Sequence, residues 1–148
     1  MPISDPMNLP FLLDTHIWVW AWERNEHEMS PRALEIVGIA SQRGLLLVSA
    51  ISMWEIAMLV EKRRITLSKE PYRWIEEAIT APGVQVIGLT PEIAVGSTRL
   101  PGKPHGDPAD RILMATARAV GARLVTSDRQ ILAYAERERA LSVIDARR

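Results

Sequence analysis

Short apolar runs alternate with helix-length segments along almost the whole chain, and that alternation narrows the fold more than any other feature. Leu9-Pro-Phe-Leu-Leu13 and Leu45-Leu-Leu-Val48 are apolar at every position. Val84–Leu89, Arg123–Thr126 and Leu141–Ile144 are further strand-length pieces. Strands without a polar face are covered on both sides, as in parallel sheets with helices above and below. The intervening segments carry helix start signals. Ser30-Pro31, Thr90-Pro91 and Asp107-Pro108 each place a capping oxygen before a proline at the first helical position. Helices are expected from Ile17 to Glu23, from Pro31 to about Arg43, from Ser49 to about Arg64 and over 70–81. Others are expected from Pro91 to about Leu100, from Pro108 to Gly121, and over a short stretch opened by Asp128. The expected architecture is α/β, a three-layer α/β/α sandwich around a central parallel sheet.

At 148 residues the chain has the size of one domain. Residues 1–8 read as a disordered lead and 9–148 as a single domain, because no linker or composition break divides them. No apolar run approaches 18 residues, so no membrane span is expected. The N-terminus lacks the basic-then-apolar pattern of a secretory signal, so the expected location is the cytoplasm. Cysteine is absent, which excludes disulfides, thiolate metal sites and cysteine nucleophiles. The net charge is zero, so any contact with nucleic acid comes from a local patch rather than from bulk charge.

Four carboxylates stand on these apolar segments. Asp14 ends the first strand, Glu55 interrupts Ile51-Ser-Met-Trp-Glu-Ile-Ala-Met-Leu-Val60, Asp110 precedes Ile112-Leu-Met-Ala-Thr-Ala117, and Asp128 follows Ala122-Arg-Leu-Val-Thr-Ser127. A buried carboxylate without a partner is costly and either neutralises or finds a cation. On a helix, Glu55 shares its face with Ile51, Met58 and Leu59, and Asp110 with Leu113, Met114 and Ala117. Both acids therefore point toward apolar surroundings. A bland reading of Glu55 is an ion pair with some arginine. Asp14 and Asp128 have bland readings as strand-to-helix caps. Asp107 is fully explained as the cap of the helix that starts at Pro108, so it is assigned to capping and to support of Asp110. Thr15, Thr126 and Ser127 flank the acids with hydroxyls that can hold carboxylates or bound water in place, and Arg111 is either a phosphate contact or a surface arginine. His16 and His105 lie near the acids, where a polar surface role competes with ligation. Trp18, Trp20 and Trp22 suit either base stacking or packing. A cluster of carboxylates without cysteine selects a hard cation, Mg²⁺ or Mn²⁺, and the chemistry that uses such a site is phosphoryl transfer.

The same segments, Leu12-Leu-Asp-Thr-His-Ile-Trp-Val-Trp20, Val48-Ser-Ala-Ile-Ser-Met-Trp-Glu-Ile-Ala57, His105-Gly-Asp-Pro-Ala-Asp-Arg-Ile-Leu-Met-Ala-Thr-Ala117 and Leu124-Val-Thr-Ser-Asp128, resemble in order and spacing the PIN-domain nucleases. Within them the chain is most similar to the VapC-like toxins of type II toxin–antitoxin systems. The resemblance spans about Leu12 to Tyr134. It implies a PIN-like sandwich and a Mg²⁺- or Mn²⁺-dependent ribonuclease. Carried over by position, it implies that Asp14, Glu55, Asp110 and Asp128 form the catalytic, metal-binding quartet. It also implies an RNA substrate, a cognate antitoxin protein and a homodimer. Two positions depart from the family pattern: Ala109 stands where a bulky aromatic is common, and Gly106 where a basic residue is common. Two other function classes fit the acids taken alone. In a catalytically idle protein-binding module they serve as caps and ion pairs. In a metal-dependent phosphatase they act on a small-molecule ester instead of RNA.

Overall fold

The computed structural model describes residues 9–104 and 106–148, so the expected lead at 1–8 and His105 lie outside the described residues. Five strands, β1 (Phe11–Leu13), β2 (Leu46–Ser49), β3 (Val84–Ile87), β4 (Arg123–Thr126) and β5 (Val143–Asp145), form one sheet in the order β3-β2-β1-β4-β5. Every pairing is parallel. The helices are α1 (Thr15–Trp22), α2 (Pro31–Gln42), α3 (Ala50–Glu61), α4 (Pro71–Ile79), α5 (Pro91–Gly96), α6 (Pro108–Val120) and α7 (Arg129–Glu138). A 3-10 turn at Glu26–Glu28, unanticipated from the sequence, links α1 to α2.

The two faces of the sheet define two cores, as the twofold alternation of a strand requires. Phe11, Leu13, Leu46, Val48 and Val125 face one layer, together with Trp18, Val37 and Trp74 from the helices. Leu12, Leu47 and Leu124 face the other, with Ile93, Leu113, Met114 and Tyr134. This is the three-layer sandwich. Trp18 meets Trp74 edge to face with centroids 5.4 Å apart, and both are buried, so at Trp18 packing is the role observed.

Element boundaries shift where local bonding decides them. α1 begins at Thr15, two residues before the expected start, because Asp14 caps it and accepts the Thr15 N–H. α5 stops at Gly96, short of Leu100, where the Ser97 and Thr98 hydroxyls donate back to the Ala94 and Val95 carbonyls. β3 stops at Ile87 because Ser49, opposite it, is the last residue of β2. β5 is displaced to Val143–Asp145, since Leu141 turns into the core beside α6 and α7. Gly83, at φ +85°, passes so close to α2 that a β-carbon there would lie 2.0 Å from the Ser41 carbonyl oxygen. Among the described residues no helix is long and apolar enough to cross a membrane.

Candidate metal centre

In a parallel sheet every strand ends at the same edge, and loops from that edge carry the site. Asp14 directly follows β1, and Asp128 stands two residues beyond β4. β2 runs without a break into α3, whose second turn carries Glu55. Asp107 and Asp110 occupy the start of α6. These five acids line one cavity of about 350 Å³. Ser127, His16, Trp20 and Arg147 complete its wall.

Asp14, Glu55, Asp107 and Asp128 are held by identifiable bonds. Asp14 Oδ1 accepts the Thr15 N–H at 2.7 Å, and Oδ2 accepts the Thr126 hydroxyl at 2.6 Å. Glu55 Oε1 accepts the Thr15 hydroxyl at 2.5 Å, so its partner is a hydroxyl and not the arginine of the bland reading. Ser52 Oγ lies 2.9 Å from the same Thr15 oxygen and donates to it when Thr15 donates to Glu55. Asp107 Oδ1 accepts the N–H groups of Ala109 at 2.9 Å and Asp110 at 3.4 Å. Asp128 Oδ1 accepts those of Gln130 at 2.8 Å and Ile131 at 3.2 Å. Asp14, Asp107 and Asp128 are therefore helix caps and cavity acids at once. The positive ends of α1, α6 and α7 meet their negative charge.

The electrostatics show a crowded set of acids. Burial pushes the Asp14 and Glu55 carboxyls above their ordinary range, against the hydrogen bonds from Thr126 and Thr15 that pull them down. Burial, followed by repulsion from Asp14, Asp107, Asp128 and Glu55, pushes Asp110 up to about 8. Bound positive charge would relieve that repulsion. Glu55, Asp107 and Asp110 each offer an oxygen within 4.8 Å of the others, a geometry that can hold a metal ion. An all-oxygen donor set in a cysteine-free chain suits a hard cation. The reading from sequence set Asp107 apart as a cap and a support of Asp110; in the structure it caps α6, and one of its oxygens also lies within 4.8 Å of those of Glu55 and Asp110.

The flanking residues divide. Thr15 is buried and orients Glu55, while Ser127 lines the cavity. Arg111 donates to the Pro104 carbonyl at 3.5 Å and is not among the residues lining the cavity. The arginine on the wall is Arg147, with its guanidinium 5.1 Å from the centre of the Trp20 ring. Sequence reasoning did not single out Arg147. The rule that sites form beyond strand ends, applied to β5 as well as to β1 and β4, points to Arg147.

Residues 11–137 match the PIN domain family. The chain is 37% identical over 123 residues to Ribonuclease VapC22 of Mycobacterium tuberculosis, covering 83% of this chain and 90% of that protein. VapBC2 of Rickettsia felis, solved bound to a DNA fragment from its promoter, superposes with a TM-score of 0.65 at 18% identity, over 92% of this chain and 98% of that one. DNA-bound VapBC of Salmonella typhimurium gives 0.62 at 19% identity, over 92% and 97%. These two superpositions bear on the fold.

Proposed function

The chain belongs to the PIN-domain family, and on that premise we propose that it is a metal-dependent endoribonuclease acting as the toxin of a type II toxin–antitoxin pair. The observation that carries the reading is the oxygen cluster of Glu55, Asp107 and Asp110 in a chain 37% identical to a named ribonuclease. Mg²⁺, or Mn²⁺ in its place, is the cation of choice for such donors. The catalytic quartet is Asp14, Glu55, Asp110 and Asp128, with Asp107 joining the ligand set and Thr15 and Ser127 supporting it. The catalytic unit is one domain over 9–148, acting in the cytoplasm.

When bound, the cation supplies positive charge to the phosphodiester and favours ionisation of water. The protein's own groups do the rest. Asp110, Asp107 and Glu55 would hold the ion, with Asp14 and Asp128 bringing further negative charge to the same cavity. Thr15 fixes one oxygen of Glu55, and the carboxylate takes the proton from the attacking water. A new P–O bond forms to the water oxygen as the bond to the ribose oxygen breaks, and that oxygen leaves with the electron pair and takes a proton from solvent water. An antitoxin protein and a second copy of the chain are the proposed partners, and Trp54, 56% exposed on α3, is a surface for such a contact.

The test compares cleavage of RNA, single-stranded DNA and a chromogenic phosphate ester in Mg²⁺ and in EDTA. Cleavage of RNA that needs the ion and is abolished by Asp14→Asn in a folded protein supports the reading. Full activity in that variant, or turnover of the ester alone, overturns it. A small antitoxin reading frame beside the gene tests the toxin assignment.

A further inference from the structure

We propose that Arg147 is the residue that binds the RNA phosphate beside the metal centre. The inference rests on the ribonuclease reading and names the group that holds the substrate strand. A cavity walled by five carboxylates repels a polyanion, and a divalent cation among them offsets part of that charge. A fixed positive group on the same wall is the missing element, and Arg147 is the arginine that lines it.

Its position follows from the sheet. β5 pairs with β4 so that Asp145 lies opposite Thr126, the residue whose hydroxyl holds Asp14. Ala146 is buried and donates its N–H to the Thr126 carbonyl at 2.8 Å. The next residue therefore emerges at the carboxyl edge beside the acids. The Arg147 N–H is tied to Asp145 Oδ1 at 3.0 Å. Its guanidinium lies over Trp20, and one terminal nitrogen donates to Glu28 Oε2 at 2.8 Å.

Those contacts fix the group without using it up. The side chain is 51% exposed. Among the described residues, Glu28 is the one side chain it pairs with, through one nitrogen of a fork with five N–H donors. A planar fork already stacked and tethered loses little freedom when it takes a phosphate between two donors. Trp20 has its own neighbour in His16, with centroids 6.2 Å apart. His16, Trp20 and Arg147 thus adjoin one another along one section of the wall, with Glu28 as the carboxylate that tethers the guanidinium.

The experiment measures two things on Arg147→Gln, Arg147→Lys and the charge-matched control Arg148→Gln. One is steady-state RNA cleavage in Mg²⁺. The other is anisotropy binding of a non-cleavable 2′-O-methyl RNA oligonucleotide across a salt series. Arg147→Gln is expected to raise KM and weaken binding about tenfold, as loss of a charge-assisted hydrogen bond does. It should also lower the salt slope by about 0.7, the loss of one phosphate contact on a single strand. Arg147→Lys keeps the slope and loses part of the affinity, and Arg148→Gln leaves both unchanged. Unchanged KM and slope in folded Arg147→Gln overturn the proposal. If that variant does not fold, wild-type KM in Arg147→Lys overturns it, because the bidentate fork is then irrelevant. A wild-type protein that binds the oligonucleotide but cleaves no RNA defeats the ribonuclease reading, a result distinct from either.

Discussion

The Thr126 hydroxyl donates to Asp14 Oδ2 at 2.6 Å while its oxygen accepts the Asp128 N–H at 3.0 Å. One side chain at the end of β4 thus ties together the acid that follows β1 and the acid that opens α7. Thr126→Val keeps the shape and removes both bonds, leaving a buried carboxylate oxygen and an N–H unpaired. A loss of about 1–3 kcal/mol is expected, read from the urea midpoint at constant slope. The bond from Thr126 is the largest influence lowering the Asp14 pKa, so the variant should also need more Mg²⁺ for half-maximal RNA cleavage. An unchanged urea midpoint would show that the hydroxyl carries no weight in the fold.

Glu55 depends on the chain from Ser52 through Thr15. Its carboxyl is already raised by burial, and the Thr15 bond is the influence that opposes this most. Thr15→Val removes that opposition, so the pKa rises further. A base must be ionised to accept a proton, and the acid limb of the kcat profile therefore moves to higher pH. Ser52→Ala, one bond further back, should move it less. A pH profile identical to wild type in Thr15→Val would separate Glu55 from proton transfer.

The carboxyl of Asp110, pushed up to about 8 chiefly by burial and then by four neighbouring acids, makes metal-free stability depend on pH. Between about pH 4, where an unfolded aspartate ionises, and about pH 8, the folded protein keeps a proton that the unfolded chain has released. Folding takes up that proton, so stability falls as pH rises through this window and is lowest above it. In EDTA the melting temperature of wild type should fall relative to Asp110→Asn between pH 5 and pH 8.5. At pH 8.5 the variant should melt at least about 3 °C higher, roughly 1 kcal/mol for a domain of this size. Metal binding needs the ionised carboxylate, so Mg²⁺ affinity of wild type should climb over the same window. Parallel melting curves for the two proteins would mean that Asp110 is not strained by its neighbours.

The alternation of apolar runs and cap signals was enough to read the layers and the order of elements, because those depend on local periodicity and on capping oxygens. Ser30, Thr90 and Asp107 cap helices where the sequence pattern put them. The helical neighbours of Glu55 and Asp110 likewise indicated which way these acids point, and the structure brings both to one cavity with Asp14 and Asp128. Which remote residue bonds to which was not legible. The bonds from Thr126 to Asp14 and from Arg147 to Glu28 span 112 and 119 residues, distances over which no periodicity speaks. The strand order β3-β2-β1-β4-β5, which sets Arg147 beside the acids, follows from pairing and not from any single strand. Trp20 was ambiguous for a similar reason: its ring lies under an arginine that belongs to the far end of the chain.

Capping accounts for the place of Asp107 in the sequence, and its carboxylate also belongs to the oxygen cluster with Glu55 and Asp110. The two roles separate by substitution. Asn and Ser cap a helix about as well as Asp, because each keeps an oxygen for the N–H groups of Ala109 and Asp110. Neither keeps the negative charge that strengthens binding of a divalent ion. Asp107→Ser and Asp107→Asn should therefore keep the apo melting temperature within about 2 °C of wild type, a change of under ~1 kcal/mol. Both should weaken Mn²⁺ binding, measured by calorimetry, by about tenfold or more, the low end of what loss of a ligand or its support costs. Asp107→Ala has the opposite bias on stability: it loses the cap as well, at about 1 kcal/mol. If Asp107→Ser binds Mn²⁺ as tightly as wild type while Asp107→Ala merely melts earlier, Asp107 is a cap and nothing more, and the ion is held by Glu55 and Asp110 with help from Asp14 or Asp128.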